Sequence, residues 1–144
     1  MDVGSYCVNA LRLFGGEPER ARGEQMVGPS GVDIVFAGTL AFPNELVGHF
    51  DCGFVFPRRA GLAIVGETGT IYVSDAFSIA HAGIELRRGD AEPEQIAIEP
   101  ANHYRLELEN VSAAIRGEGQ LLLGREDAVG QARTIDALYR SAAR

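Results

Sequence analysis

No apolar run in this sequence of 144 residues approaches the ~20 residues that a membrane-crossing helix needs. The first residues carry no basic stretch ahead of a hydrophobic one, so no secretory leader is expected. Cysteine is scarce. Cys7 and Cys52 stand far apart and fit neither a metal-ligand spacing nor a disulfide framework, so both read as buried thiols of a reducing compartment. A cytoplasmic protein is the expectation. Positive charge is also short, with 13 Lys and Arg against 20 Asp and Glu and a net charge of −7. Nucleic-acid binding needs a clustered basic surface, and the pairs Arg58-Arg59 and Arg87-Arg88 are too brief to supply one.

Several catalytic signatures are missing. The glycines of GETGTI follow a strand pattern but lead into another strand, so neither the dinucleotide nor the Walker fingerprint is met. Ser5, Ser30, Ser74 and Ser112 lack the flanking glycines of a nucleophile elbow. His49 and Asp51 alternate onto one strand face, but no third ligand stands at a useful spacing, so no metal site is expected.

What is present is one domain's worth of chain, long enough to bury a core without staples. In MDVGSYCVNALRLFGG, the residues Val3, Tyr6, Cys7, Ala10, Leu11 and Phe14 recur at three- and four-residue steps, predicting a helix stopped by Gly15-Gly16. EPERARGEQM reads as an edge strand with loops. From Gly31 the period becomes two. Val32, Ile34, Phe36, Leu40 and Phe42 share one face, PNE turns the chain, and Leu46, Phe50, Cys52, Phe54 and Phe56 return in the same alternation. This predicts a long β-hairpin.

GLAIVG and TIYVSD form a second hairpin, and GIELRRGD and EQIAIEP complete the strands. After Pro100 the period is helical again, with Tyr104, Leu108, Val111 and Ile115 on one stripe that closes at Gly117. The last helix is expected to turn Val129, Ala132, Ile135, Leu138 and Tyr139 inward, with Glu126 and Asp127 in its first turn. The whole predicts an α+β fold, an open and mostly antiparallel sheet with helices on one face. The hairpin's other face is not properly polar. Val35, Ala37, Thr39, Ala41, Val47 and Val55 surround only Asp33, His49 and Asp51, which predicts a homo-oligomer, a dimer built sheet to sheet.

Asp2 and Tyr6 lie four apart, placing a carboxylate and a phenol on one helical face. That pair is either acid–base machinery or an N-capping aspartate beside a core tyrosine. His103 and Tyr104 open a helix, facing a pocket or helping to cap it. His81 sits in a polar loop with no assigned role.

The segments MDVGSYCVNALRLFGGEP, GTLAFPNELVGHFDCGF, IVGETGTIYVSDAF, NHYRLELENVSAAIRG and LLGREDAVGQARTIDALYRSA occur in the order and spacing of a known domain. Over essentially its whole length, 1–144, the chain resembles the C-terminal domain of the Gfo/Idh/MocA oxidoreductases. It is most similar to the subgroup with glucose–fructose oxidoreductase, NADP-dependent xylose dehydrogenase and dihydrodiol dehydrogenase. The resemblance implies a domain that binds a sugar, polyol or related cyclic hydroxy compound and builds the oligomer. It also implies that NAD or NADP is held by a Rossmann domain not contained in this chain, so no cofactor is expected on the chain alone. The family's glycine loop and Glu-Lys-Pro motif have no counterpart here. By the same resemblance Tyr6 is the proton-transfer group, and Asp2 either orients the substrate or supports the phenol. Asn9, His103 and Tyr104 are the substrate-binding candidates. The alternative is a free-standing, non-catalytic sugar-binding or assembly module of the same fold.

Overall fold

The computed structural model describes residues 1–43, 45–77 and 83–143. Asn44 of the expected PNE turn and His81 of the polar loop lie outside the described residues. The chain divides into two compact units, Met1–Phe56 with Leu123–Arg144, and Pro57–Leu122.

The first unit is a three-stranded antiparallel sheet in the order β1-β2-β3, formed by β1 (Arg20–Val27), β2 (Asp33–Ala41) and β3 (Val47–Gly53). β1 is an edge strand, as its charge pattern predicts. Helices α1 (Gly4–Gly15) and α3 (Arg125–Ala142) pack on β3 and β1 and on each other. The period-two residues do what their pattern requires: Phe36, Leu40, Phe42 and Phe50 are buried, joined by Val8 from α1 and Leu138 from α3. Phe36 stacks on Phe50 with ring centres 6.2 Å apart, and the Tyr139 ring meets Phe36 edge-on at 5.4 Å. This packing depends on the absence of a side chain at Gly38, where a Cβ would stand 2.5 Å from Cε1 of Phe50.

Three expectations fail in this unit. The hairpin's return strand is shorter than its alternation implies. β3 ends at Gly53, and Phe54 and Phe56 are exposed rather than inward. The Phe54 N–H makes a last bond to the Ile34 carbonyl at 3.0 Å, and Pro57, which has no N–H to offer, then ends the run. Leu46 and Val32 likewise stand exposed outside the ladder.

In α1 the apolar stripe is covered only in part. Ala10 is buried and Cys7 and Leu11 pack against the core, whereas Tyr6 and Phe14 face outward and Gly4, Val8 and Arg12 are buried instead. The glycines at both ends of that stripe let the backbone come close to the sheet, and a charged residue occupies a place where apolar periodicity expects none. In α3 the buried residues are Gly130, Thr134 and Leu138, with Ile135 and Tyr139 packed beside them. Val129 and Ala132 are exposed.

The second unit is a four-stranded antiparallel sheet in the order β4-β5-β6-β7, formed by β4 (Gly61–Val65), β5 (Thr70–Ser74), β6 (Gly83–Arg87) and β7 (Glu94–Ile96). The β4–β5 turn closes through the Gly66 N–H to the Gly69 carbonyl at 2.9 Å. Its register puts Leu62, Val73 and Ile84 in one row and Ile64, Ile71 and Leu86 in the next, on the same face.

Helix α2 (His103–Ile115) begins at Asn102, whose side chain accepts the Arg105 N–H at 3.1 Å. It is followed by Gly117 in the left-handed region. The apolar stripe of α2 is left uncovered among the described residues: Tyr104, Leu108, Val111 and Ile115 are all exposed, and no α2 residue is buried. The helix is held by its cap and by local pairs such as Arg105 with Glu109 at 3.5 Å. Asn110 then grips the returning chain, donating to the Gln120 carbonyl at 2.9 Å and accepting the Leu122 N–H at 3.1 Å. The fold is α+β with antiparallel sheets and three helices, and the strands form two ladders among the described residues.

Candidate functional site

Helix α1 carries one group of candidates. Asp2 precedes the helix by two residues, and its carbonyl accepts the Ser5 N–H at 3.0 Å and the Ser5 hydroxyl at 2.6 Å. The N-cap position itself is Val3, with no side-chain cap bond, so the capping role considered for the Asp2 carboxylate is not what the structure has. Tyr6 is 58% exposed, so it is not the core tyrosine of the alternative reading. Asn9, half-buried, follows one turn later on the same side of the helix. Tyr6 and Asn9 therefore share one accessible side of α1, with Asp2 exposed just ahead of the helix, while Val8 and Arg12 are buried in the unit. An accessible phenol held on a helix is a group that general acid–base chemistry can use.

The second group opens α2. The His103 and Tyr104 rings lie 4.3 Å apart and tilted by 48°. Asn102 supplies the cap, which leaves these two rings free of that duty. Tyr104 lines a groove of about 560 Å³ along α2, together with Arg105, Leu108 and Ser112. Asp2, Tyr6 and Asn9 belong to the first unit, and His103 and Tyr104 to the second.

Sequence reasoning missed Arg12. Its side chain is 3% exposed and pairs with Glu17 and with Asp127, the latter at 2.9 Å. It also donates to the Gln131 side-chain oxygen at 3.1 Å. The available signal was an arginine set between the leucines of ALRLF, where amphipathic patterning alone reads a solvent-facing charge. Its acceptors on α3 lie 115 and 119 residues away in sequence, beyond the reach of local pattern.

The thiols behave as expected of partly buried cysteines. Both are free, and burial pushes the Cys7 thiol up and the Cys52 thiol up to about 11. His49 and Asp51 do share the sheet's exposed face, opposite Thr39 and Ala37. No group of three or more potential metal ligands occurs among the described residues. No helix of the described residues is long and apolar enough to cross a membrane.

A dinucleotide's pyrophosphate is ordinarily held where a strand passes through a glycine-rich turn into a helix. Among the described residues, α2 follows a glycine-free segment after β7, and α3 follows α2. These elements do not fit that group.

The fold is that of a domain type that occurs within oxidoreductases. The GFO/IDH/MocA C-terminal domain matches residues 1–72, half of the chain, and the chain belongs to this family. It is 30% identical over 145 residues to D-xylose 1-dehydrogenase (NADP(+)) 2 of Haloferax volcanii, covering 99% of this chain and 45% of that protein. An uncharacterised oxidoreductase of Rhizobium meliloti is also 30% identical, over 154 residues, covering 99% of this chain and 46% of the relative. The chain thus spans less than half the length of the curated relatives it matches.

Among solved structures, an aldose–aldose oxidoreductase from Caulobacter crescentus, complexed with glycerol, superposes with a TM-score of 0.87 at 22% identity. That match covers 97% of this chain and 44% of the other. KijD10, a 3-ketoreductase from Actinomadura kijaniata solved with NADP and TDP-benzene, gives 0.86 at 18% identity over 97% of this chain and 44% of its own. These likenesses establish the fold.

Proposed function

We propose that this chain is the substrate-binding and subunit-pairing half of an NAD(P)-dependent oxidoreductase acting on a sugar, a polyol or a related cyclic hydroxy compound. Tyr6 is the proton-transfer residue. Oxidising an alcohol to a carbonyl removes a proton from oxygen and a hydride from carbon, and the residues of this chain serve only the proton. Asp2 supports the phenol and Asn9 binds a substrate hydroxyl, while His103 and Tyr104, in the second unit, are separate substrate-binding candidates. The dinucleotide that takes the hydride is bound by residues outside these 144, since no strand–glycine turn–helix unit is found among the described elements.

The observation that carries the reading is the accessible edge of α1. In a chain of this family, a purely structural helix has no need of an aspartate and an outward phenol one turn apart. The named activity of the Haloferax relative supports the sugar class. Subunit pairing is supported by the exposed outer face of the first sheet, where Val47, His49 and Asp51 stand uncovered. The two free, half-buried thiols suit a reducing, cytoplasmic setting.

Titrating the chain with NADPH while following nucleotide fluorescence tests the division of labour. The expected result is no saturable signal. Saturation at micromolar NADPH would place a cofactor site on this chain and overturn the reading.

A further inference from the structure

Tyr6 projects from the first half of α1, so whatever holds that half of the helix also places the Tyr6 backbone. The cap contributes little, because the N-cap residue Val3 makes no side-chain bond. The support comes from α3 instead. Gln131 donates its side-chain N–H to the Ser5 carbonyl at 2.8 Å, and its side-chain oxygen accepts from the Arg12 guanidinium at 3.1 Å.

An amide can turn either end toward a partner, and only its surroundings decide which. A guanidinium has donors and no acceptor, so Arg12 can take only the oxygen end of Gln131. The nitrogen end is thereby left pointing to Ser5, as a donor. Arg12 is in turn held by Asp127 at 2.9 Å and by Glu17, and it has no room to swing because its side chain is 3% exposed. The carbonyl of Ser5 is also the one that an α-helix presents to the N–H of Asn9. The strut therefore grips the single turn that contains both Tyr6 and Asn9.

We propose that Gln131, oriented by Arg12, is the positioning residue for Tyr6, setting the placement of the phenol through the Ser5 carbonyl. The functional meaning of this strut rests on the proton-transfer role of Tyr6. The positioning itself can be measured independently of that role.

Gln131→Glu preserves shape and keeps an acceptor for Arg12, but when ionised it has no N–H for Ser5. Gln131→Met removes both bonds. The chain is labelled with fluorotyrosine, the Tyr6 signal is assigned with Tyr6→Phe, and Tyr139, packed against the core, serves as the internal control. In both variants the Tyr6 signal should shift or broaden while that of Tyr139 stays in place. Amide-exchange protection across Tyr6–Asn9 should fall about three- to tenfold, the weight of one net hydrogen bond, with Phe36 and Phe50 nearly unchanged.

An unmoved Tyr6 signal would overturn the proposal. So would equal loss of protection at Phe36 and Phe50, which would make Gln131 a general packing residue. If Gln131→Glu moves Tyr6 but Tyr6→Phe leaves turnover of the complete enzyme intact, the positioning stands and the proton-transfer role falls. If Tyr6→Phe abolishes turnover while Tyr6 is indifferent to Gln131, only the positioning is lost.

Discussion

Replacing Arg12 by methionine keeps most of the side chain's length and removes its charge, so it isolates the polar part of the α1–α3 junction. The bond to Asp127, at 2.9 Å, is charge-assisted and about a third exposed on the acceptor side, and it contributes about 1.5–3 kcal/mol. The bond to Gln131 adds roughly 0.5–1.5 kcal/mol. Glu17 is largely in solvent, so its pairing adds about 0–1 kcal/mol.

Against these stands the buried Nε of Arg12, which has no hydrogen-bond partner among the described residues. A methionine relieves that penalty, about 1–3 kcal/mol. Asp127 and Glu17 both reach water, so neither is left as a sealed, unpaired charge. The net destabilisation should be about 1–3 kcal/mol. Urea unfolding followed by circular dichroism reads it, with amide exchange at Phe36 and Phe50 confirming that the first unit is the part affected. The loss should persist in 0.5 M salt, because a shielded pair is screened far less than a surface one. A change below about 0.5 kcal/mol would refute the reasoning and make the network a solvated decoration.

Burial opposes ionisation of Asp33, but bonds from the Tyr139 hydroxyl at 2.7 Å and from the Met1 ammonium more than offset it, so its pKa is lowered. Its stabilisation is present above the ordinary aspartate pKa of about 3.9 and is lost as pH falls toward the depressed value, so Asp33→Asn should flatten the acid limb of a stability–pH curve. Burial and the Asp33 carboxylate push Tyr139 up to about 12, so its contribution is intact below pH ~10 and is lost as pH rises from there toward 12; Tyr139→Phe should remove that alkaline limb. Light scattering at micromolar concentration should report a dimer, and Val47→Glu with Thr39→Glu, on the exposed sheet face, should dissociate it. A monomeric parent chain, or a dimer unmoved by the pair, would dispose of sheet-to-sheet pairing.

How far the sequence could be read depended on whether local pattern and tertiary packing agreed. Phe36, Leu40 and Phe50 alternate because one sheet face is covered, and there the period-two reading matched the buried set. Phe54 and Phe56 continue the same alternation past the end of the ladder, since periodicity registers side-chain type but not the last strand bond. The spacing on α2 identifies an apolar stripe, yet Leu108 and Ile115 on it are exposed. Apolar residues mark a face that tolerates burial, and which neighbour buries it is not written in the stripe.

In α1 apolar spacing pointed to Cys7, Ala10 and Leu11, which do pack inward, but could not decide between the two readings of Tyr6, because Gly4 carries no hydrophobic signal and the buried Arg12 carries the opposite one. The structure decides it by exposing the Tyr6 ring, which leaves the phenol accessible for chemistry. Asp2 and Tyr6 were visible as a spacing; the strut from Gln131 was not, because it joins residues 126 apart in sequence.

The most direct test of the account is the turnover of Tyr6→Phe with a dinucleotide-binding half in place. Hydride transfer must first be shown to be rate-limiting, by an isotope effect with the deuterated nucleotide. General acid–base help contributes about 10²–10⁴-fold, so kcat should fall by roughly that factor while amide exchange at Phe36 and Phe50 is unchanged. A Tyr6→Phe enzyme that keeps most of its kcat under those conditions would contradict the account and leave Tyr6 as an exposed ring without a catalytic part.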